Sequence, residues 1–536
     1  MGGAVAGFEL ARLGRRVLFI EKGLLLQSSH DPARDVRLIP NTDLQDADAR
    51  LAVGLWPDRV VGETSIGALN FFAPMGCGTG GTTNLYAGAL ERFRREDFHP
   101  RRNYPRESST MLPWAWPISF DTMREYYGRA EVLFGVRGTP DPLAENDPTS
   151  DLRDPKPLDA QDAHLFEQLE QRKLHPYRAH LACSEASACP IGDDCGAKCS
   201  RSAGRICLMP ALQEYGAKIL TSCEVLRLES DASSVKTIVC KHVATEIVVR
   251  AKIVVLAAGA IMTPIILFRS ACKEWPNGLA NRSGLVGRNL MFHFSDFMAL
   301  TPRRRLPKQP ARKGLALNDL YMTAGYKLGT FQSAGIEVNP GQIMVCLREV
   351  AQRSPFGWKK LASPTPVWWR KLSSPFISLA SFLLYQMKLK NASIWATIVE
   401  DLPYWDNRVV LDSAPEGKIR FIYRYTDELD KRIKAFRAQL SARLWPGALL
   451  RLFSTINFAH ACGTCRFGDA PEASVLNADN RAHGIENLYV VDASFFPSSG
   501  GTNPSLTIAA NALRVAGIID KCMMREDVRS SGSLTH

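Results

Sequence analysis

The first segment of the chain constrains the fold more strongly than any other. It reads MGGAVAGFELARLGRRVLFIEKG, with apolar residues at helical spacing up to Gly14 and a short apolar strand at 17–20 that ends on Glu21. A glycine turn, a helix, a strand and a terminal acid form the second half of a dinucleotide-binding βαβ unit. The segment therefore predicts an α/β sheet that binds a nucleotide.

The first half of this unit, a strand and the first two glycines of G-x-G-x-x-G, would lie before Met1. A sequence that is truncated or starts too late is the simplest interpretation. A natural variant without that strand is the alternative, and it would lack backbone donors to a pyrophosphate, so its cofactor affinity would be in doubt. The expected fold is therefore one whose first strand is missing.

Composition and charge exclude several classes of protein. The 536 residues suffice for two domains, and 46% hydrophobic with 22% charged residues is typical of a globular protein. The net charge is +12, and the densest basic run, 301–313, is broken by prolines and carries no aromatic residues. We therefore expect no nucleic-acid partner.

One apolar stretch is a candidate for contact with a membrane. Residues 375–387 are too few to span a bilayer and follow a basic segment that contains Trp368 and Trp369. A buried helix with a solvated approach loop is the favoured interpretation, and a peripheral membrane surface or an entrance for a lipophilic substrate is the alternative. No secretory signal is recognised, so we expect a cytoplasmic protein without a transmembrane segment.

Later segments repeat the pattern of a nucleotide-binding sheet. The apolar strand 253–256 runs into Ala258 and Gly259 before a helix, and a strand near 488–491 leads to Asp492, a glycine turn and a long helix. Buried parallel strands have such continuous apolar runs, and helix N-termini offer backbone N–H groups to phosphate. The glycine pair and hydroxyls of GGTTNLYAG are, alone, a weak phosphate-binding signal.

Together these pieces resemble the glucose–methanol–choline (GMC) family of flavin-dependent oxidoreductases. The block from His460 to Ala516 is the most specific part of the likeness. The matching segments occur in the family's order and span nearly the whole chain: 2–23, 80–88, 95–98, 116–138, 253–267, 284–293, 460–468 and 492–516.

The resemblance implies an α/β fold with two domains. A Rossmann-like FAD-binding domain would be assembled from several segments, and a substrate domain would be α+β on a mixed or antiparallel sheet. The expected boundaries are 1–30, 65–135, 200–295 and 456–525 for the FAD-binding domain, 136–199 for a cysteine-rich insertion, 296–455 for the substrate domain and 526–536 for a tail.

The resemblance also implies the residues that contact FAD. Glu21 would bind the adenosine ribose, and the turn at 82–84 would lie along the pyrophosphate and flavin. The full expected set is Gly2, Gly3, Glu21, Gly80, Gly81, Thr82, Thr83, Asn84, Val225, Ala258, Gly259, Asp492, Ala493, Asn503 and Pro504.

His460 and Asn503 are the expected catalytic residues. By resemblance, His460 would face the flavin N5 as the base, and Asn503 would be its partner where many family members carry a second histidine. Alcohol oxidation removes a hydroxyl proton and a carbon-bound hydride, and a histidine has a suitable pKa for the proton. An asparagine can orient the hydroxyl without competing for that proton.

A cysteine cluster raises a separate question. Cys189, Cys195 and Cys199 form a C-x5-C-x3-C pattern, and thiolates at such uneven spacing suit an iron–sulfur cluster. Some bacterial family members resembling glucose and sorbitol dehydrogenases bind a 3Fe–4S cluster in this region, but this chain has Pro190 and Ser200 where theirs differ. Disulfides or free thiols, and zinc, are the alternatives.

The resulting functional hypothesis is an FAD-dependent enzyme that oxidises a hydroxyl of a sugar, glycoside or polyol. With a cluster it would pass electrons to an acceptor protein such as a cytochrome. The alternatives are an oxidase of a lipophilic alcohol or sterol that uses O2, and a non-catalytic flavoprotein that serves as a partner subunit. Retention of both His460 and Asn503 argues against the last.

Overall fold

The computed structural model describes residues 1–25, 46–65, 67–144, 148–182, 201–304, 313–323, 326–336, 379, 381–411 and 419–532. Its helices are α1 Gly2–Arg12, α2 Ala47–Ala52, α3 Pro100–Asn103, α4 Phe120–Phe134, α5 Ala160–Gln171, α6 Met209–Gln213, α7 Gly259–Arg269, α8 Asp427–Arg443 and α9 Ser505–Gly532. Short 3-10 or π turns occur at Gly81–Asn84, Arg95–Phe98, Gly204–Leu208, Tyr385–Leu389 and Ala493–Phe495.

The strands are short except in the larger sheets. They are β1 Leu18–Ile20, β2 Val60–Thr64, β3 Gly67–Phe71, β4 Val136–Arg137, β5 Tyr177–Arg178, β6 Leu181–Ala182, β7 Lys218–Leu220, β8 Cys223–Ser230, β9 Val235–His242, β10 Thr245–Val249, β11 Val254–Leu256, β12 Met291–Leu300, β13 Leu315–Leu317, β14 Met322–Thr323, β15 Tyr326–Lys327, β16 Gly329–Ser333, β17 Ser393–Glu400, β18 Arg408–Leu411, β19 Ile419–Tyr423, β20 Leu449–Cys462 and β21 Leu488–Val490.

The nucleotide-type half is built from parallel pairs, as the sequence predicts. β1 pairs with β7, and β11 pairs with β21, in two separate parallel sheets. Helix α1 packs against α9, and its buried residues, including Val5 and Leu10, join the largest apolar core. The predicted helix, the stop at Gly14 with φ of 81°, and the strand that ends before Glu21 are confirmed.

The other half is dominated by an antiparallel sheet of strand order β20-β12-β17-β16-β13-β5. Helix α8 covers one face, because Leu429, Ile433 and Phe436 recur at helical spacing and pack in one cluster with Trp395 and Val399 of β17. Each such side chain contributes about 1.5–3 kcal/mol on burial. Because successive strand residues face opposite sides, Glu400, next to Val399, lies on the face away from α8.

The apolar stretch at 375–387 differs from the favoured prediction where the structure describes it. Leu379, Phe382 and Leu383 are exposed, whereas a buried helix was expected. Periodicity identifies an apolar segment but does not reveal what covers it. Trp368 and Trp369 lie outside the described residues. Within the described part of the chain, no helix is both long and apolar enough to cross a membrane.

Candidate active site

Two acids at strand ends organise the nucleotide-type half. Glu21 follows β1, and its Oε1 accepts hydrogen bonds from the backbone N–H of Gly23 at 2.8 Å and of Gly78 at 3.0 Å. Burial raises the pKa of Glu21, and these two N–H groups oppose that rise. Its second oxygen makes no hydrogen bond to the described residues and can bind a ligand.

Asp492 follows β21 and ties three segments together. Its Oδ2 accepts from the N–H of Gly259 at 3.0 Å and the hydroxyl of Thr263 at 2.5 Å, and Oδ1 accepts from the N–H of Ser494 at 2.9 Å. Both oxygens of Asp492 accept hydrogen bonds from the protein. The carboxylate therefore stabilises the starts of α7 and of the turn at Ala493 and is not free to bind a ligand.

The start of α1 packs tightly on this region. A Cβ added at Gly2 would lie 1.9 Å from the carbonyl oxygen of Val491, and one at Gly3 would lie 2.8 Å from the Cβ of Ala257. Ala258, the residue before α7, follows directly. These predicted residues therefore lie together around the carboxyl ends of β11 and β21.

The predicted turn at 80–84 is held by its own side chains. Gly80 and Gly81 have φ of 98° and 54°, a conformation that favours glycine. The hydroxyl of Thr83 donates to the carbonyl of Gly80 at 2.6 Å and accepts from the N–H of Ala203 at 3.0 Å. The Asn84 amide donates to the carbonyl of residue 79 at 2.8 Å, and Thr82 accepts from the N–H of residue 76 at 3.1 Å.

Three other predicted contacts occupy distinct places. Val225 lies half-buried on β8 opposite Cys240 of β9 and packs on the main core. The carbonyl of Ala493 accepts from the N–H of Gly463 at 3.1 Å, and Pro504 immediately precedes α9. Ala493 and Pro504 thus flank the loop that contains Asn503.

His460 lies near the end of β20, beside β12. Its Nδ1 is 2.9 Å from Nδ1 of His293 and 3.3 Å from the amide nitrogen of Asn457. Burial and the neighbouring His293 and Lys313 lower the pKa of His460 well below its usual value. The imidazole is therefore neutral, and able to accept a proton, across the neutral pH range.

The loop 498–503, which ends at Asn503, contacts the same pair of histidines through its backbone. His293 Nε2 lies 3.2 Å and 3.0 Å from the carbonyl oxygens of Ser499 and Gly500, so one side chain contacts both the loop and His460. Asn503 is buried, and its Oδ1 has no hydrogen-bond partner within the described part of the chain. An unpaired buried amide can form a hydrogen bond with a hydroxyl group of a ligand.

A buried ionic cluster contacts the backbone of the loop 498–503. Lys327 is fully buried and contacts the carboxylates of Asp97 and Glu400. Glu400 Oε1 accepts from the N–H of Gly500 at 3.0 Å. Tyr321 donates to Asp97 at 2.6 Å and accepts from the N–H of residue 501 at 3.0 Å. The cluster therefore fixes the backbone of the loop through two of its N–H groups.

Sequence reasoning did not find these supporting residues. His293 lies at the end of segment 284–293, which carries the family resemblance. Asp97 lies within another such segment, 95–98, whereas Lys327 lies in none of them. Their grouping depends on which strands pair, and no local pattern contains that information.

The predicted cluster cysteines cannot be placed. Cys189, Cys195 and Cys199 lie outside the described residues, so the metal prediction stays a prediction. Cys207 is buried without a disulfide. No group of metal-binding side chains was found among the residues that the structure does describe.

These features fit a bound dinucleotide. Glu21 has a carboxylate oxygen open to a ribose, and an added Cβ at Gly81 or Gly259 would meet no heavy atom within 4 Å, so the backbone is accessible there. Thr502 Oγ1 and Asn503 Oδ1 are buried and lack partners among the described residues. An accessible backbone, a carboxylate and unpaired polar atoms are the kinds of group that bind the pyrophosphate and ribose of FAD.

Comparisons with known proteins agree with this geometry. Residues 177–295 and 434–512 match the N-terminal and C-terminal models of GMC oxidoreductase. Paromamine 6'-oxidase of Streptomyces fradiae is 28% identical over 96% of this chain and 88% of that protein. The 2-methyl-1,2-propanediol dehydrogenase of Mycolicibacterium austroafricanum is 26% identical over 82% of this chain and 80% of that protein.

A solved structure supports the fold. Pyridoxine 4-oxidase from Mesorbium loti superposes with a TM-score of 0.60 over 96% of each chain, at 18% identity. At that identity the likeness concerns the fold alone, whereas the family models and the relatives concern the sequence. The chain belongs to the GMC oxidoreductase family and is an FAD-dependent alcohol dehydrogenase or oxidase of that family.

Proposed function

We propose that the chain oxidises a hydroxyl of a sugar, glycoside or polyol to a carbonyl, with His460 as the base. The observation that carries the proposal is the placement of His460 and the Asn503 loop on either side of His293. The Asn503 amide can rotate to place its nitrogen at the unpaired position, where it would donate to a hydroxyl oxygen while the neutral imidazole accepts the hydroxyl hydrogen.

FAD would be held by the residues around the strand ends. Glu21 would bind the ribose through its open oxygen, and the turn at 80–84 and the start of α9 would offer backbone N–H groups to the pyrophosphate and flavin. Asp492 would act indirectly, since its carboxylate holds Gly259 and the adjacent turn. When bound, FAD supplies the acceptor for the hydride that leaves the alcohol carbon.

The protein's own residues manage the proton. His460 accepts the hydroxyl proton as the carbon–oxygen bond becomes a carbonyl, and its lowered pKa keeps it unprotonated beforehand. The amide nitrogen of Asn503 donates to the oxygen of the same hydroxyl and so orients it without competing for the proton. The buried cluster around Lys327 keeps the loop from moving while the hydroxyl is bound.

The substrate class rests on the relatives. One is named for oxidising paromamine and another for a small diol, so polyhydroxylated or diol substrates are the first to test. One of the two is named an oxidase and the other a dehydrogenase. The electron acceptor of this chain is therefore a separate question from its substrate.

The test is anaerobic reduction of the bound flavin by a panel of sugars, glycosides and polyols in a stopped-flow spectrometer. His460→Ala is expected to retain FAD but to reduce it at least about 10²-fold more slowly. His175→Ala is the matched control, because that histidine is half-exposed and pairs with Asp319. Flavin reduction at the wild-type rate in His460→Ala would exclude His460 as the base.

A lipophilic alcohol or sterol is the second candidate substrate. The exposed side chains of Leu379, Phe382 and Leu383 offer an apolar surface that a sugar enzyme does not need. Flavin reduction by detergent-solubilised fatty alcohols or sterols, with none by the polar panel, would support this candidate over the first.

A second redox centre would carry electrons from the reduced flavin to an external acceptor protein. Cys189, Cys195 and Cys199 remain the proposed ligands of a 3Fe–4S cluster. Iron and acid-labile sulfide assays on anaerobically purified protein test this directly. Near-stoichiometric iron and sulfide would favour a dehydrogenase with an acceptor such as a cytochrome, and their absence would favour direct reaction with O2.

A further inference from the structure

His293 and His460 form a pair of imidazoles within the large sheet. His293 is on β12 and His460 on β20, and these strands are antiparallel neighbours. The ring planes are perpendicular, with centroids 5.0 Å apart, and the two Nδ1 atoms are 2.9 Å apart. At that distance one nitrogen must donate a hydrogen and the other must accept it.

The surroundings of His293 decide which nitrogen carries its hydrogen. Nε2 lies 3.0 Å from the carbonyl oxygen of Gly500 and 3.2 Å from that of Ser499, and carbonyl oxygens only accept. Nε2 must therefore be an N–H. Burial lowers the pKa of His293 to about 4, since contributions from Glu400 and the two carbonyls only partly offset it, so the ring is neutral near pH 7.

A neutral imidazole with its hydrogen on Nε2 has a lone pair on Nδ1. His293 Nδ1 is then an acceptor, and His460 Nδ1 must be the donor in the 2.9 Å contact. It follows that the single hydrogen of neutral His460 is on Nδ1 and that its Nε2 has a free lone pair. In the part of the chain that the structure describes, His460 Nε2 makes no hydrogen bond.

Asn457 is the one described side chain that could favour the opposite arrangement. Its amide nitrogen lies 3.3 Å from His460 Nδ1 and would donate to an unprotonated nitrogen. The two ends of an amide are interchangeable by rotation, so the oxygen of Asn457 can take that place and accept instead. His293 has no such freedom, because two fixed carbonyls determine its hydrogen.

We propose that His293 is a positioning residue that holds the hydrogen of His460 on Nδ1 and so leaves Nε2 free to accept the substrate proton. This inference rests on the proposed function of His460. The same ring donates through Nε2 to the carbonyl oxygens of Ser499 and Gly500, in the loop that leads to Asn503. His293 therefore sets both the proton position of the base and its placement relative to the asparagine.

The direct test is 15N NMR of the resting FAD-bound protein, labelled at histidine, with His460 assigned by its absence in His460→Gln. Near pH 7 we expect a protonated Nδ1 and an unprotonated Nε2 for His460. A protonated Nε2 would overturn the proposal. The measurement needs no substrate, so it succeeds or fails independently of the proposed reaction, which His460→Ala tests.

Two variants separate positioning from simple packing. His293→Met introduces an apolar side chain of similar size and removes both hydrogen-bonding nitrogens, and we expect flavin reduction to slow at least about 10²-fold. His293→Gln can donate to a carbonyl and accept from His460, so it should recover the rate to within about tenfold of wild type. Equal losses in both variants, with FAD content retained, would contradict the proposal.

The pH profile supplies a further readout. The charged or titratable groups around the pair are Glu400 and Lys327 on the His293 side and Lys313 on the His460 side. His293→Met removes the acceptor that holds the hydrogen of His460 on Nδ1, so His460 is free to change tautomer. The acid limb of the pH–rate profile, where the rate of flavin reduction falls at low pH, should therefore move relative to that of His293→Gln. Identical acid limbs in the two variants would indicate a packing role only.

Discussion

Lys327 Nζ lies 2.5 Å from Glu400 Oε2, and neither side chain has exposed surface. The carboxylate of Asp97, also buried, contacts the same ammonium group. Burial alone would lower the pKa of Lys327, but Asp97 and Glu400 raise it above its usual value, so the cation is held charged. Because Glu400 also accepts from the N–H of Gly500, this ion cluster stabilises the loop that positions Asn503.

Lys327→Met should destabilise the protein strongly. The substitution leaves two buried carboxylates without their cation, and breaking a buried pair in this way costs about 3–5 kcal/mol. Denaturant unfolding of the FAD-bound protein measures the loss. Lys434→Met is the control, because Lys434 and Asp430 form an exposed pair, and it should change stability by less than about 0.5 kcal/mol. Similar small effects in both variants would refute the role given to the cluster.

Gly500→Ala should impair turnover more than it impairs folding. Gly500 has φ of 70°, and an added Cβ would lie 2.6 Å from the ring of Phe93, so the loop must shift. A displacement of about 1 Å in a catalytic group can cost about 10²-fold in rate. Steady-state kcat and FAD content of the variant test this.

The control for Gly500→Ala isolates backbone strain from displacement. Gly216 has φ of 68°, but a Cβ there meets no heavy atom within 4 Å. Gly216→Ala should therefore lose about 1–2 kcal/mol of stability through the left-handed backbone and keep wild-type kcat. If Gly500→Ala behaves like Gly216→Ala, the loop does not need its observed position for catalysis.

Local patterns predicted the nucleotide-type half well. The helix and strand at the start of the chain and the acids at 21 and 492 follow from periodicity and from strand-end chemistry over a few residues. Two of their hydrogen bonds are local, from Gly23 to Glu21 and from Ser494 to Asp492, and the other three come from distant segments. The elements and the positions of the acids depend on short segments, so the sequence is sufficient for these but not for the distant partners.

The histidine pair and the ion cluster could not be predicted in the same way. His293 and His460 are 167 residues apart and meet only because β12 and β20 pair in one register, with a bulge between Met291 and His293. A shift of one residue would turn His293 to the other face of the sheet. The exposure of Phe382 likewise depends on what packs around its segment and not on its own sequence.

A buried histidine should make stability fall at alkaline pH. Burial lowers the pKa of His180, but Glu91 at 2.9 Å more than offsets this and raises it to about 9. A raised pKa stabilises the fold fully below the unfolded value of about 6.5, and the stabilisation is lost as pH rises through 9. The loss amounts to at most about 3 kcal/mol.

Thermal unfolding between pH 6 and 10 measures this dependence. His180→Gln should show a flatter decline of Tm with pH than the wild type does. His175→Gln is the matched control, because His175 contacts Asp319 at 2.8 Å but is half-exposed, so its pairing is screened by solvent. A wild-type slope in His180→Gln would place the alkaline loss elsewhere in the protein.

The pH dependence of flavin reduction should depend on Lys313. Burial lowers the pKa of Lys313 to about 8, so the ammonium is still charged in the acid range where His460 titrates. That charge lowers the pKa of His460. The wild-type rate should therefore stay high as pH falls through 6.5, because His460 remains an unprotonated base.

Removal of the charge should move the acid limb in a defined direction. In Lys313→Gln the pKa of His460 rises, so the base is protonated sooner and the acid limb shifts to higher pH, by on the order of one unit. Lys313→Arg keeps the charge and should retain the wild-type limb. Stopped-flow flavin reduction from pH 5 to 9 measures all three proteins. A shift to lower pH in Lys313→Gln, or none, would mean that Lys313 does not act on His460, and that the burial of the imidazole and its contact with His293 suffice to keep the base neutral.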